Sequence, residues 1–200
     1  SGYAVSGSDR ALTPFADEVR HAGATVYVGH HPRNIAGADS VVMSSAISAD
    51  NPEVVAAKHA NIPVYKRADF LGELMSDKTG TAIAGPHGKT NTTAMTACVL
   101  GELKRDPSFI VGGVMKNLGG NARAGRGNLF VVEADEYDNM FLGLKPNIAV
   151  ITNIEWDHPD FFKTPEDMVE SFRQFVRLLP ADGILVACAD DPLAVKVADE

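Results

Sequence analysis

Alternating strand and helix signals predict an α/β protein in which a parallel sheet is covered by helices on both faces. Two observations carry this reading. Short apolar runs recur along the whole chain, each followed by a stretch with helical periodicity. Three of these runs also end directly in polar clusters, as strands do at the C-terminal edge of a parallel sheet. With 200 residues, 45% hydrophobic and 22% charged, the chain is long and apolar enough to build one or two domains with a sizeable core.

In chain order, Ser1-Gly2-Tyr3 reads as the end of a helix running into a first strand at 4–6. Further strands are expected at 25–28, 40–43, 81–84, 109–111, 129–132, 148–152 and 184–187, and helices at 14–22, 52–60, 68–76, 90–103, 165–178 and 192–198. Gly23 suits the end of the first of these helices. The helix at 90–103 carries Met95, Cys98, Val99 and Leu103 as its apolar face. The one from Pro165 has a capping Thr164, a proline at its first position, and Met168, Phe172, Phe175, Val176 and Leu179 on one face. The small polar stretch Ser76-Asp77-Lys78-Thr79-Gly80 separates a helix from a fresh strand, so the expected units are 1–78 and 79–200. A start at Ser1 and an end at Glu200, inside a helical pattern, read as a fragment cut at both ends.

Twenty-six acidic against 18 basic residues leave a net charge of -8, which argues against nucleic acid or an anionic membrane as the main partner. No apolar run approaches the roughly 18 residues of a membrane span and no signal-peptide pattern opens the chain, so the protein reads as cytoplasmic. Cys98 and Cys188 stand far apart and outside any Cys-x-x-Cys pair; they are expected to be small buried apolar side chains.

The sharpest chemical signal is the strand Thr81-Ala82-Ile83-Ala84 running into Gly85-Pro86-His87-Gly88-Lys89-Thr90-Asn91 and then a helix. In such a turn, backbone N–H groups converge on a phosphate at the helix N-terminus, a lysine neutralises terminal phosphates and a hydroxyl ligates magnesium. Lys89 and Thr90 are placed for these roles. Ile83 stands where the common phosphate loop has its first glycine, so this loop is a shortened form. Next, Glu133-Ala134-Asp135-Glu136-Tyr137-Asp138 follows an apolar strand directly, which delivers carboxylates able to hold magnesium, or simply a solvated acidic loop. The third cluster, Thr152-Asn153-Ile154-Glu155-Trp156-Asp157-His158, again closes a buried strand and sets Asp157 and His158 for metal or phosphate contact. Softer signals lie earlier. Asp9 follows a strand where α/β nucleotide folds place an acid against a ribose or base, and Ser44-Ser45 sit between a strand and a helix in a position suited to phosphate or sugar. His30 and His31 read as exposed turn residues, and Arg67 and Arg123 as partners for phosphate or as plain surface charges.

Taken together, the Ser44–Glu53 segment, the Gly85–Thr90 loop, Glu133–Glu136 and Thr152–His158 resemble, in order and spacing, the motifs of the Mur ligases, and the resemblance extends over essentially the whole chain. It implies a truncated Rossmann-like N-terminal domain for a UDP-sugar, followed by the front part of a P-loop central ATPase domain. It also implies a third, C-terminal domain that is not in these residues, and hence a fragment inactive by itself. The implied reaction, a step of peptidoglycan biosynthesis, uses ATP to turn the lactoyl carboxylate of UDP-N-acetylmuramate into an acyl phosphate, which the amine of L-alanine attacks.

Carried over onto this chain, the resemblance implies that Gly85, Pro86, His87, Gly88, Lys89, Thr90 and Asn91 bind ATP and that Lys89 and His158 are catalytic. Magnesium would be held by Thr90, Glu133 and His158, and the sugar nucleotide by Asp9, Ser44, Ser45 and Arg123. Pro86 and Asn91 depart from the family pattern, each replacing a usual threonine beside the phosphates. Glu136-Tyr137-Asp138 also resembles the family branch that joins a recycled tripeptide to the same sugar nucleotide, while Met140–Pro146 returns to the main pattern. Two other classes compete: a non-catalytic nucleotide-binding module, against which the joint presence of Lys89, Thr90, Glu133 and His158 speaks, and an NAD-dependent dehydrogenase, which has no place for the loop at Gly85.

Overall fold

The computed structural model describes residues 2–199. Two compact units follow one another, 1–67 and 68–200.

The first unit holds β1 (Ser6–Asp9), α1 (Pro14–His21), β2 (Thr25–Val28), a 3₁₀ turn (Pro32–Ile35), β3 (Val41–Met43), α2 (Pro52–His59) and β4 (Val64–Lys66). Its strands form two separate parallel pairs, β1 with β2 and β3 with β4. Side-chain caps start its helices: Thr13 Oγ1 accepts from Ala16 N at 3.3 Å and Asn51 Oδ1 from Glu53 N at 2.9 Å. The expected first strand is displaced. Of the expected helix end, Ser1 lies outside the described residues and Gly2–Tyr3 carry no regular structure, while pairing begins with Thr25 N donating to Val5 O and runs on to Asp9.

The second unit holds α3 (Arg67–Met75), β5 (Thr79–Ala84), α4 (Lys89–Glu102), β6 (Ser108–Met115), β7 (Gly120–Arg123) and β8 (Leu129–Glu133). A 3₁₀ stretch (Tyr137–Gly143), β9 (Ile148–Ile151), α5 (Pro165–Val176), β10 (Ile184–Ala187) and α6 (Pro192–Ala198) complete it. Its six strands lie in the order β10-β9-β5-β8-β6-β7. All neighbours are parallel except β7, which returns antiparallel along β6 and makes the sheet mixed rather than purely parallel. Alternation along the central strands divides the core in two. Ala82, Ala84, Phe130 and Val132 face one layer with Met75 of α3, Phe172 and Phe175 of α5 and Val197 of α6. Ile83 and Val131 face the other, against Ala97 of α4.

Packing explains where the sequence reading and the structure part. α3 belongs by its contacts to the second unit, because Met75 enters that core and Gly72 lies so close to the Gly143 backbone that a Cβ has no room. The polar residues 76–78 form the turn between α3 and β5, inside the unit that the contacts delimit. On α4 the buried positions are Thr93 and Ala97; Met95, Val99 and Leu103 are 68%, 57% and 64% exposed, so only Cys98 of the expected apolar face packs inward. Small side chains let the helix lie close on the sheet, and a helical period cannot by itself say which face does so. Both cysteines are half-buried rather than buried. α5 has a full capping box between Thr164 and Asp167. No helix among the described residues is long and apolar enough to cross a membrane.

Candidate active site

The strand-to-helix turn at 85–88 takes its shape from two glycines and from β9. Gly85 (φ 128°) and Gly88 (φ 83°) adopt left-handed conformations that a side chain would strain, and a Cβ on Gly85 would collide with Thr152 Oγ1. Asn153 grips the turn from the end of β9: its Oδ1 accepts from His87 N at 3.2 Å and its Nδ2 donates to His87 O at 3.0 Å. The Thr152 hydroxyl lies 2.7 Å from His87 O and 3.1 Å from Ala84 O. Gly88 caps α4 without a side chain, which leaves the first N–H groups of a 14-residue helix turned toward the loop.

Two carboxylates, Glu133 at the end of β8 and Glu136 just after it, meet the residues that follow the turn. Glu133 Oε1 accepts from the Thr90 hydroxyl at 2.9 Å, while its Oε2 accepts from Gly112 N on β6 at 2.6 Å. Glu136, fully buried, receives the Lys89 ammonium on both oxygens at 2.7 and 2.8 Å. Thr90 is thus brought to Glu133, and its neighbour Lys89 to Glu136. Glu136, counted in the sequence only among carboxylates able to hold magnesium, and Asn153, given no role there, hold the two sides of the loop. Their signal was only their place at the ends of β8 and β9.

His158 sits in the left-handed region (φ 53°), its N–H donating to Asp157 Oδ1 at 2.7 Å and its ring 4.8 Å from that of Tyr137. The Tyr137 hydroxyl donates to Asp160 Oδ2 at 2.9 Å; that bond and the charge of Asp160 push the phenol above its ordinary range. This joins the 3₁₀ stretch to the loop after β9. Asn91 lies exposed on the first turn of α4. Arg123, on β7 at the sheet's edge, pairs with Asp106 at 3.1 Å and lies over the Phe109 ring at 5.4 Å.

In the first unit, Asp9 ends β1 exposed, and Ser44 and Ser45 are exposed in the turn after β3. The ordered cluster there is one the sequence did not reveal. Glu53, at the start of α2, accepts from the Ser8 hydroxyl at 2.6 Å, from Asn34 Nδ2 at 2.6 Å and from His31 N at 3.1 Å, with His30 Nδ1 at 3.8 Å. Burial works to raise its pKa, but these hydrogen bonds and His30 outweigh it and hold the carboxyl below its usual range.

A glycine turn between a buried strand and a helix, with lysine, hydroxyl and carboxylate converging on it, defines the class: a phosphate-loop α/β protein. Comparison with known families then fixes the family. The model described as Mur ligase family, catalytic domain, matches residues 1–79, and the Mur ligase middle domain matches residues 83–200. The chain belongs to the Mur ligase family. It is 47% identical to a UDP-N-acetylmuramate--L-alanine ligase of Desulforamulus reducens over 98% of its own length, and spans 43% of that relative. The structure of UDP-N-acetylmuramate-alanine ligase MurC from Thermotoga maritima superposes with a TM-score of 0.84 at 31% identity, over 96% of this chain and 45% of that one. The UDP-N-acetylmuramate:L-alanyl-gamma-D-glutamyl-meso-diaminopimelate ligase from Neisseria meningitides gives 0.88 at 29% identity, over 99% and 67%.

Proposed function

We propose that this chain supplies the ATP-handling site, and part of the sugar-nucleotide site, of a ligase that joins L-alanine to the lactoyl carboxylate of UDP-N-acetylmuramate in peptidoglycan biosynthesis. The observation that supports it is the convergence of Lys89, Thr90 and Glu133 on the loop of a chain 47% identical to such a ligase. A carboxylate is a poor electrophile. Its oxygen attacks the γ-phosphorus of ATP, ADP leaves, and the resulting acyl phosphate has the leaving group that the carboxylate lacked. The amine of L-alanine then attacks the acyl carbon, phosphate departs and the nitrogen loses a proton.

The protein's part is positioning and charge. The loop 85–91, from Gly85 to Asn91, cradles the phosphates with its N–H groups, and Lys89 offsets charge on the transferring phosphoryl group. Magnesium fits the residues present, since a hydroxyl and a carboxylate lying 2.9 Å apart are hard oxygen donors and leave the remaining positions to phosphate and water. Thr90 and Glu133 would hold it, and it would neutralise charge on the phosphate oxygens. His158 would serve a second magnesium or the acyl phosphate. The sugar nucleotide is read as lying against the first unit, with Asp9, Ser44 and Ser45 as contacts, and the reaction as cytoplasmic.

The tripeptide ligase is the second reading, favoured by the TM-score of 0.88 to such a ligase and by the resemblance of Glu136-Tyr137-Asp138. One assay separates the two. The full-length protein is expected to release phosphate only with UDP-N-acetylmuramate and an amine together, and faster with L-alanine than with L-alanyl-γ-D-glutamyl-meso-diaminopimelate. Equal or better turnover of the tripeptide would replace the first reading by the second.

A further inference from the structure

We propose that Glu136 is a positioning residue for the phosphate-loop lysine, holding Lys89 through two of its three ammonium protons and leaving the third for a phosphate oxygen. The proposal rests on the reading of this loop as an ATP site. Its geometry is the bidentate pair at 2.7 and 2.8 Å between a carboxylate with 1% of its side chain exposed and an ammonium with 13%. Lysine has three donors and no acceptor, so one N–H remains uncommitted.

A buried ion pair can serve packing alone, and three features argue for more here. First, the backbone that carries the carboxylate is tied down on both sides: Ala134 N donates to Ile83 O at 2.8 Å, extending the ladder beyond β8, and Asn139 N donates to Glu136 O at 3.0 Å. Second, the neighbouring carboxylate does a different task. Glu133 is occupied by the Thr90 hydroxyl and Gly112 N, so Glu136 is the acid the segment assigns to the lysine. Third, the arrangement is unfavourable for anion binding as such. A buried negative charge beside the loop's cation weakens attraction for polyphosphate, and what it provides in return is location. A lysine ammonium is a point charge on a flexible four-carbon stem, and a small displacement of a catalytic charge lowers the rate steeply. Glu136 thus gives up nucleotide affinity for placement of the lysine.

This predicts a split that a merely structural pair does not produce. In the full-length protein, Glu136→Gln is expected to lower kcat at least tenfold, while the Kd for a non-hydrolysable ATP analogue stays equal or becomes tighter. Lys89→Ala, which leaves a buried carboxylate facing the phosphates, is expected to weaken analogue binding, and the double variant Lys89→Ala/Glu136→Gln to recover part of it. The double variant carries neither charge and serves where Glu136→Gln alone fails to fold. A Glu136→Gln kcat within twofold of wild type, a Kd that worsens in step with kcat, or a double variant that binds no tighter than Lys89→Ala would each overturn the proposal. Wild-type protein that binds the analogue without ligating would remove the ligase reading and leave the binding comparison standing; wild type that binds no nucleotide would overturn both.

Discussion

Glu53 in the first unit and Glu136 in the second are both carboxylates that gather a neighbouring loop, yet they do it by opposite chemistry. Glu53 is surrounded by donors that bring little charge: a serine hydroxyl, an asparagine amide and a backbone N–H, with the His30 imidazole just beyond. Its negative charge survives and is stabilised by many small dipoles. Glu136 faces a single full charge, and the pair is close to neutral as a unit. The first arrangement ties loops together and degrades gradually when one donor is lost. The second places one cation, and removing either partner strands the other in a poorly solvated site.

If the second arrangement is the one that carries the chemistry, the largest effect comes from Lys89. Lys89→Ala is expected to lower ligation by about 10² to 10³, the usual loss when a preorganised electrostatic stabiliser is removed. Affinity for the sugar nucleotide is expected to stay nearly unchanged. Phosphate release at the wild-type rate would show that the charged pair is only structural and would erase the distinction from Glu53. Glu133→Gln comes next, because on the proposed reading it weakens a magnesium ligand, and it also loosens the Thr90 and Gly112 contacts. The expected result is an activity loss of about 10- to 100-fold at fixed magnesium, judged by the usual cost of disturbing a metal's ligand surroundings, and partly restored by more magnesium. A magnesium titration that coincides with wild type would remove Glu133 from the metal site.

Neutral hydrogen bonds also occur beside the loop, which sharpens the comparison. Asn153 contributes two bonds to the His87 backbone and no charge. Its replacement by alanine is expected to raise KM for ATP by about thirtyfold, from two hydrogen bonds of about 1 kcal/mol each, with kcat reduced less. A kcat loss as deep as that of Lys89→Ala would mean that loop shape matters as much as charge.

Much of this architecture was legible because it is local. β2 at 25–28 and β10 at 184–187 are short β-branched and aliphatic runs, and α5 announces itself by a cap, a proline and a repeating aromatic face. What was missed depends on partners distant in sequence. β7 reads Gly-Asn-Ala-Arg, with no strand-forming composition; it is extended because β6 offers it an edge. β1 was placed too early because Ala4 and Val5 are more apolar than the Ser-Gly-Ser-Asp stretch that actually pairs with β2. The same holds at the site. Lys89, Thr90 and Glu133 could be picked out as motif residues, but that Glu136 rather than Glu133 takes the lysine depends on a pairing across 47 positions. The Glu53 cluster, whose members lie up to 45 residues apart, has no motif at all.

The smallest effect tests the Glu53 side of the comparison, and it is a matter of pH. The folded-state pKa of Glu53 lies below its ordinary value of 4.5, so ionised Glu53 stabilises the fold above that value and the contribution disappears as pH falls through the lowered folded pKa. Glu53→Gln keeps the size but replaces one accepting oxygen by a donating amide, which then faces the donors of Ser8, Asn34 or His31. The variant is therefore expected to melt a few degrees below wild type near neutrality, by the usual scaling of about 1 kcal/mol to a few degrees. The gap is expected to close at acid pH, because wild type loses there what the variant never had. Because the folded-state pKa is the lowered one, the closure belongs to the acid end of the range. Paired melting curves from pH 7 to about pH 3, spanning the carboxylate range, measure this directly. A gap that stays constant across the whole range would mean that Glu53 holds its loops by shape alone, and the contrast with Glu136 would then lie in burial rather than in charge.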